Sequence, residues 1–468
     1  MDIYSKIFGC FIGKSVGGTL GMPHEGVETF LDLDYYSPVP DRSLPNDDID
    51  LQLVWCEAFK DKRLALTNKD LALFWEKHID AHPDEYGIAL WNIKRGIKPP
   101  LTGIHNNEAF RHGMGAAIRS EIWAALFPGK PLTAAYFAWQ DASVDHDGEG
   151  IYAEVFLAAA QSHLYTSGNL RQSIDYGIGI LPSDSKLKAA LIDTEKSFDS
   201  GMTYLEARDR VMRLFGSVNF TDVVMNLSFI LIGLLHGRGD FSDSITMAVN
   251  CGQDADCTGA TTAAFMGILL GKEAIPERWV SKVGTDISVG DYIKGIKVNS
   301  SIDSLANDIL SCHKWIAEEK ALPSLELPFV IPKSEDFSDG NPWLVEGEKI
   351  VFDGLKLDNS KYSSHVNKEI HFKTNLSFNY SGDIQMMIAS KGIFRAYWNG
   401  RYMGVKGDQM IPVPAIHRVR GGRCFNLSVN KGENCELEIV LYPTFPVPDL
   451  YVAFGDMQCR HLDVNYNI

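Results

Sequence analysis

The chain has 468 residues, 45% of them hydrophobic and 22% charged, and carries a net charge of −16. That length predicts two or three domains, and the ordinary apolar fraction predicts globular ones. The acidic balance, with no basic stretch, argues against a nucleic-acid partner.

The eight cysteines are scattered, without a CxxC pair. This pattern suits reduced thiols better than a disulfide framework or a zinc site. Residues 1–10 lack the basic start and apolar core of a signal peptide, and no apolar run reaches membrane-spanning length. A cytoplasmic protein without membrane contact is the expectation.

In chain order, glycines at 9, 13, 17 and 21 recur every four residues. They fall on one helix face, where they permit close backbone packing. The segment Gly9–Ser15 imitates a phosphate loop, but its spacing is one residue short and no strand precedes it. The helix should stop near Gly21-Met22-Pro23, leaving Glu25 in the following loop.

Next comes the acidic helix start Asn46-Asp47-Asp48-Ile49-Asp50, before the amphipathic run Leu51 to Phe59. Its carboxylates could simply compensate the helix dipole. Alternatively, Asp47, Asp48 and the Asn46 amide oxygen supply part of an oxygen-rich metal site, with Asp50 facing solvent. Helical periodicity continues in Leu71 to Ile79, Ile151 to Leu164 and Val223 to Leu235.

A third cluster, Asp141 to Gly150, holds Asp145 and His146. It reads either as a surface turn or as a substrate-facing loop. The stretch Asn250 to Ala260 then opens a helix rich in Gly, Ala and Thr, with Asp254 and Asp256 at its mouth. These aspartates are either cap residues or converging carboxylates that need a cation.

Residues 322–342 contain four prolines and little periodicity, and read as a linker. From 343 to 468 the texture is β. Strands are expected at Lys349 to Phe352, Ile370 to Tyr380, Ile384 to Ala389, Phe394 to Trp398, Cys424 to Val429, Cys435 to Leu441 and Leu450 to Phe454. Short strands at regular spacing predict a β-sandwich.

Together these stretches resemble the ADP-ribosylglycohydrolase family, which includes dinitrogenase reductase-activating glycohydrolases and the J1 crystallins. Gly9 to Glu25 is similar to the family's opening pattern GCLLGxAxGDALGxPxE. Asn46-Asp47-Asp48-Ile49 stands for TDDT, His112 to Arg119 for the NGAAMR-like stretch and Asp145-His146 for Thr-His. Gly252 to Cys257 stands for GGDTDT, and Ile275 to Trp279 for IPxxW.

The resemblance implies an all-α orthogonal bundle over 1–321, followed by the linker 322–342. It implies two divalent cations, Mg2+ or Mn2+, with a single ion as the alternative. Metal contacts fall on Asn46, Asp47, Asp48, Asp254, Asp256 and Cys257. Glu25, Asp48 and Asp256 become the catalytic set, with Glu25 in acid/base work. Glu25, Asp145, His146 and Gly252 become substrate contacts. Three positions depart from the family pattern: Gly18 replaces an aspartate, and Asn46 and Cys257 replace threonines.

Residues 343–468 resemble the galactose-binding-like sandwiches of many glycosidases, which implies carbohydrate contact or simple packing. The implied activity is metal-dependent hydrolysis of an ADP-ribosyl or related ribosyl compound, free or protein-linked. The rival is a non-catalytic, crystallin-like or glycan-binding protein that keeps the fold.

Overall fold

The computed structural model describes residues 2–331, 337–446 and 449–468. Its α-helices are α1 (Ile3–Gly21), α2 (Asp47–Lys62), α3 (Asn68–His78), α4 (Asp84–Lys94) and α5 (Ser120–Leu126). There follow α6 (Pro131–Ala142), α7 (Glu149–Ser167), α8 (Leu170–Ile180), α9 (Lys186–Asp199) and α10 (Tyr204–Phe215). The series ends with α11 (Val223–His236), α12 (Phe241–Asn250), α13 (Ala255–Leu270), α14 (Glu277–Val283) and α15 (Ile302–Ile316). The four helical runs expected from periodicity fall within α2, α3, α7 and α11. The expected Ile79 end of the second run is the C-cap of α3.

The strands are β1 (Asn341–Val345), β2 (Glu348–Phe352), β3 (Lys356–Leu357), β4 (Ile370–Phe378), β5 (Gly382–Ser390) and β6 (Ile393–Trp398). They continue with β7 (Arg401–Lys406), β8 (Gly422–Val429), β9 (Cys435–Tyr442), β10 (Leu450–Asp456) and β11 (Val464–Asn467). The architecture is all-α followed by all-β, as expected from the sequence.

Two compact units divide the chain. The first holds residues 1–80, 98–100 and 110–333, and the second holds 81–97, 101–109 and 334–468. Thus α4 and the turn after it belong with the strands. The partition between 333 and 334 falls within the expected linker, whose residues 332–336 lie outside the described residues.

In the first unit α1 and α13 are buried along nearly their whole lengths. Helices that are apolar all round belong inside a bundle, not on its surface. They run antiparallel with their backbones almost touching. A Cβ placed on Gly9, Gly13, Gly17 or Gly21 would stand 2.5, 2.3, 2.1 or 2.1 Å from the carbonyl oxygens of Gly267, Ala263, Gly259 and Ala255. The four-residue glycine period therefore serves close packing, as its spacing predicts. The helix ends at Gly21, and a 3-10 turn over Met22–His24 releases Glu25.

In the second unit one antiparallel sheet has the order β2-β1-β4-β9-β6-β7, with β11 also pairing β4, and the other has the order β3-β10-β5-β8. Along β4, burial alternates strictly: Ile370, Phe372, Leu376 and Phe378 enter the core. Ile384, Met386 and Ile388 of β5, and Val452 and Phe454 of β10, belong to the same core. This is the inward and outward alternation of a sandwich.

Within this unit α4 is fixed by polar contacts. Trp91 Nε1 donates to Asp463 at 2.8 Å, and the Trp91 ring stacks on His461. Arg95 is ion-paired with Asp339, and Arg418 with Asp84.

Candidate functional site

Two helix N-termini carry the acidic residues of the first unit. Asn46 caps α2 by accepting the Asp48 N–H at 2.8 Å, and its Nδ2 donates to Asp256 Oδ2 at 3.3 Å. The amide that replaces threonine thus ties the two helix starts together. Asp254 begins α13, and Asp256 lies in its first turn. Helix N-termini favour negative charge, so both backbones support the carboxylates they present.

The convergence is tight. One ligand atom from each of Asp48, Asp256 and Cys257 lies within 4.8 Å of the others, and all three residues are buried. Asp254 is hydrogen-bonded to Asp256 and to Cys257. Asp47, half-buried, adds its charge to the field at Asp256 and Cys257.

Burial, then the neighbouring carboxylates, pushes the carboxyls of Asp254 and Asp256 well above the usual range. The same causes raise the Cys257 thiol. Asp48 is raised by burial, against the pull of Lys14. Among the described residues no amide, hydroxyl or ammonium donor reaches Asp48 Oδ2 or Asp256 Oδ1. Buried carboxylate oxygens in this state suit a cation, which takes the place of the protons.

Glu25 is exposed on the loop after α1, and its charge reaches Asp48, Asp254 and Asp256. That loop is stitched to the approach to α13. Gly26 N–H donates to Gln253 O at 2.8 Å, and Gln253 N–H to Val27 O at 2.7 Å. Gly252 sits in this seam at φ +75°, where a Cβ would lie 2.4 Å from Thr29 O. Only glycine tolerates both the angle and the contact. Gly18 stands beside the seam of α2: a Cβ there would come 3.1 Å from Asn46 Nδ2. Two of the three departures from the family pattern are therefore neighbours.

Asp145 and His146 lie in a different cluster, both fully buried. Arg119 spans Asp145 with two hydrogen bonds of 2.9 Å and also binds Asp141 through Nε at 3.0 Å. His146 Nδ1 is 2.9 Å from Asp145 Oδ1. Burial opposes ionisation of Asp145, but Arg119 and His146 outweigh it and hold its carboxyl down at about 2.

Asp50, expected to face solvent, is instead fully buried. Its Oδ2 accepts from Gly290 N–H at 2.8 Å and from the Tyr292 hydroxyl at 2.7 Å. The segment that covers this face of α2 comes from 240 residues further along the chain. Helical periodicity has no access to such a partner.

Sequence reasoning also passed over Lys14. It is wholly buried in α1, with Nζ 3.1 Å from Asp48 Oδ1 and 3.0 Å from Glu121 Oε2. Burial would strip its proton, but Glu121 and Asp48 outweigh that and hold the ammonium above its ordinary value. Gln52 and Gln161 donate to the same Glu121 carboxylate at 3.0 and 3.1 Å. A lysine in the middle of a glycine-rich helix with close-packing spacing was the available signal, and the phosphate-loop imitation obscured it.

The signature of the family described as ADP-ribosylglycohydrolase matches residues 1–315. Among solved structures, one titled ADP-ribosylglycohydrolase-related protein complex is 18% identical, with a TM-score of 0.47, over 67% of this chain and 98% of that one. A PA14 sugar-binding domain from an RTX adhesin is 14% identical, with a TM-score of 0.16, over 21% of this chain and 50% of that one. The GH31 alpha-xylosidase from Xanthomonas citri is 11% identical, with a TM-score of 0.17, over 28% of this chain and 15% of that one. No curated protein matches the chain significantly. The family signature spans well over half of the sequence, and it coincides with the unit that brings the two acidic helix starts together: the chain belongs to the ADP-ribosylglycohydrolase family.

Proposed function

We propose that the protein is a divalent-metal-dependent glycohydrolase that cleaves the glycosidic bond of an ADP-ribosyl or related ribosyl compound. One observation carries this reading: buried carboxylates from two distant helix starts converge and leave oxygens without a donor. Membership in a glycohydrolase family supports it.

Asp48 and Asp256 would hold the cation with Cys257 beside them, and Asp254 and Asp47 would add their negative charge. A bound divalent ion lowers the pKa of water and orients ribose hydroxyls. The residues of the chain do the rest. Burial of Asp48 and Asp256 keeps their charge undiluted by solvent. The Gly26–Gln253 seam holds the Glu25 loop over them, so that Glu25 handles the proton at the departing oxygen or nitrogen. Asp145, locked by Arg119, and His146, held by Asp145, would shape the wall that receives substrate.

The further assignments are of the same kind. Within 1–321 the helical unit, without 81–97 and 101–109, would form the catalytic part, and the sandwich would offer carbohydrate contact. All eight cysteines are free, and no described helix is long and apolar enough to cross a membrane, which supports a cytoplasmic setting. The deciding experiment offers ADP-ribosyl-arginine, ADP-ribosyl-serine and simple ribosides to the purified protein with Mg2+, Mn2+ or Zn2+. Metal-dependent release of ribosyl product is expected. Failure on every substrate with metal bound would favour the non-catalytic, glycan-binding reading.

A further inference from the structure

The donor set around Asp48 departs from what a pair of hard cations requires. Mg2+ prefers an all-oxygen octahedral shell. Here the three ligand atoms that meet within 4.8 Å are two carboxylate oxygens and the sulfur of Cys257. One oxygen of Asp48 is covered by the Lys14 ammonium at 3.1 Å, and one of Asp256 by the Asn46 amide at 3.3 Å. An oxygen with a donor hydrogen bond pointed at it is a poor bridge to a second ion. The side chain that could add a further carboxylate from α1 is absent at Gly18, and Asn46 Nδ2 faces that place.

We infer that this centre takes a single metal ion of borderline softness, such as Zn2+ or Co2+, held by Asp48, Asp256 and the Cys257 thiolate, with Lys14 supplying the positive charge on the other side of Asp48. The inference rests on the metal-dependent reading above and specifies it. Thiolate selects such ions over Mg2+, because sulfur is a soft donor. Three protein donors are also the number found at catalytic zinc sites, which keep a position for water or substrate. On binding, the Cys257 S–H bond gives way to an S–metal bond and the proton passes to solvent. Lys14 is suited to its part because Glu121, Gln52 and Gln161 fix its other side without competing for Asp48 Oδ2.

The test uses the full chain, stripped with chelator and reloaded separately with Co2+, Zn2+ and Mg2+. Elemental analysis should find one equivalent of Co2+ or Zn2+ per chain. The Co2+ form should show an intense thiolate-to-cobalt charge-transfer band in the near ultraviolet. Cys257→Ser should abolish that band and weaken Zn2+ binding at least about tenfold, while Mg2+ binding holds or improves. Lys14→Met should admit a second equivalent. If that variant does not fold, the stoichiometry of the unmodified chain decides. Two equivalents in the unmodified chain, or Co2+ bound without the charge-transfer band, overturns this inference while leaving metal-dependent hydrolysis intact. No metal bound at all overturns both.

Discussion

Asp256 sits where the cluster is most crowded, and its replacement separates charge from shape. Asp256→Asn should lower metal content and suppress turnover by several orders of magnitude, since activation of water by the ion supplies much of the rate. In the metal-free protein its thermal midpoint should hold or rise, because one of several repelling buried carboxylates is neutralised. Glu25→Gln should keep the metal and lose about 10²–10⁴-fold in turnover, the range for a missing acid or base. Metal analysis and rates on the same preparations check both. Unchanged metal content in Asp256→Asn would reduce the residue to a helix-start aspartate.

Asp145 makes a different prediction. Its carboxyl stands at about 2 in the folded chain against an ordinary 3.8. The folded state therefore binds its proton more weakly than the unfolded one. The resulting stability, about 2 kcal/mol, is present above pH 4 and disappears as pH falls through 2. Acid titration by circular dichroism should show this loss, and Asp145→Asn should be less stable at pH 7 and flatter below pH 4. Equal slopes for the two proteins would remove the Arg119 pairing from the account.

At the scale of elements, α1 and α13 decide the site, because they bring residues near 18 and 256 to one place. Gly17→Ala puts a methyl 2.1 Å from the Gly259 oxygen, where backbone must move, so a loss of about 3 kcal/mol or more is expected. Gly179→Ala in α8 meets nothing within 4 Å and should gain about 0.5–1 kcal/mol. Denaturant melts of both variants test the contrast. A similar gain in both variants would mean that helix propensity, not contact, governs Gly17.

The glycine period was legible in the sequence because packing at an interface repeats with the helix. So were β2, β4, β5, β6, β8, β9 and β10, whereas β1, which puts Trp343 and Val345 into the same core, begins inside the stretch read as linker. What escaped was set by partners from elsewhere in the chain. Asp50 is buried by Gly290 and Tyr292, and Lys14 is neutralised by Glu121 and Asp48. Strands β7 and β11 bury little and so print little pattern. Asp48, Asp254 and Asp256 could be picked out because the family motifs mark them. The same motif marks the position of Cys257, and the fold adds that its sulfur comes within 4.8 Å of an oxygen of Asp48 and of Asp256.

At the scale of the whole molecule, residues 81–97 and 101–109 carry a further consequence. A fragment ending at 321 keeps α4 but loses Asp339, His461, Asp463 and Arg418, the partners of Arg95, Trp91 and Asp84. Such a fragment should therefore melt earlier than the intact chain, aggregate on warming and show protease cleavage within 81–109. Size-exclusion and calorimetry on both would reveal it. Identical melting would mean that α4 stands without the strands.

The contact between α1 and α13 also sets a timetable. Gly17 meets Gly259 across more than 240 residues, so the loop between them has to be gathered before either helix finds its seat. Contacts so remote in sequence slow folding. As the chain leaves the ribosome, α1 emerges well before α13, with a stripe of bare backbone and a lysine that has no counter-charge yet. It waits through the synthesis of twelve further helices-worth of chain for its partner, at about 5–20 residues per second. For that interval a helix that is buried along nearly its whole length in the finished protein stands open to capture, which makes α1 a place where a chaperone gains by holding the nascent chain.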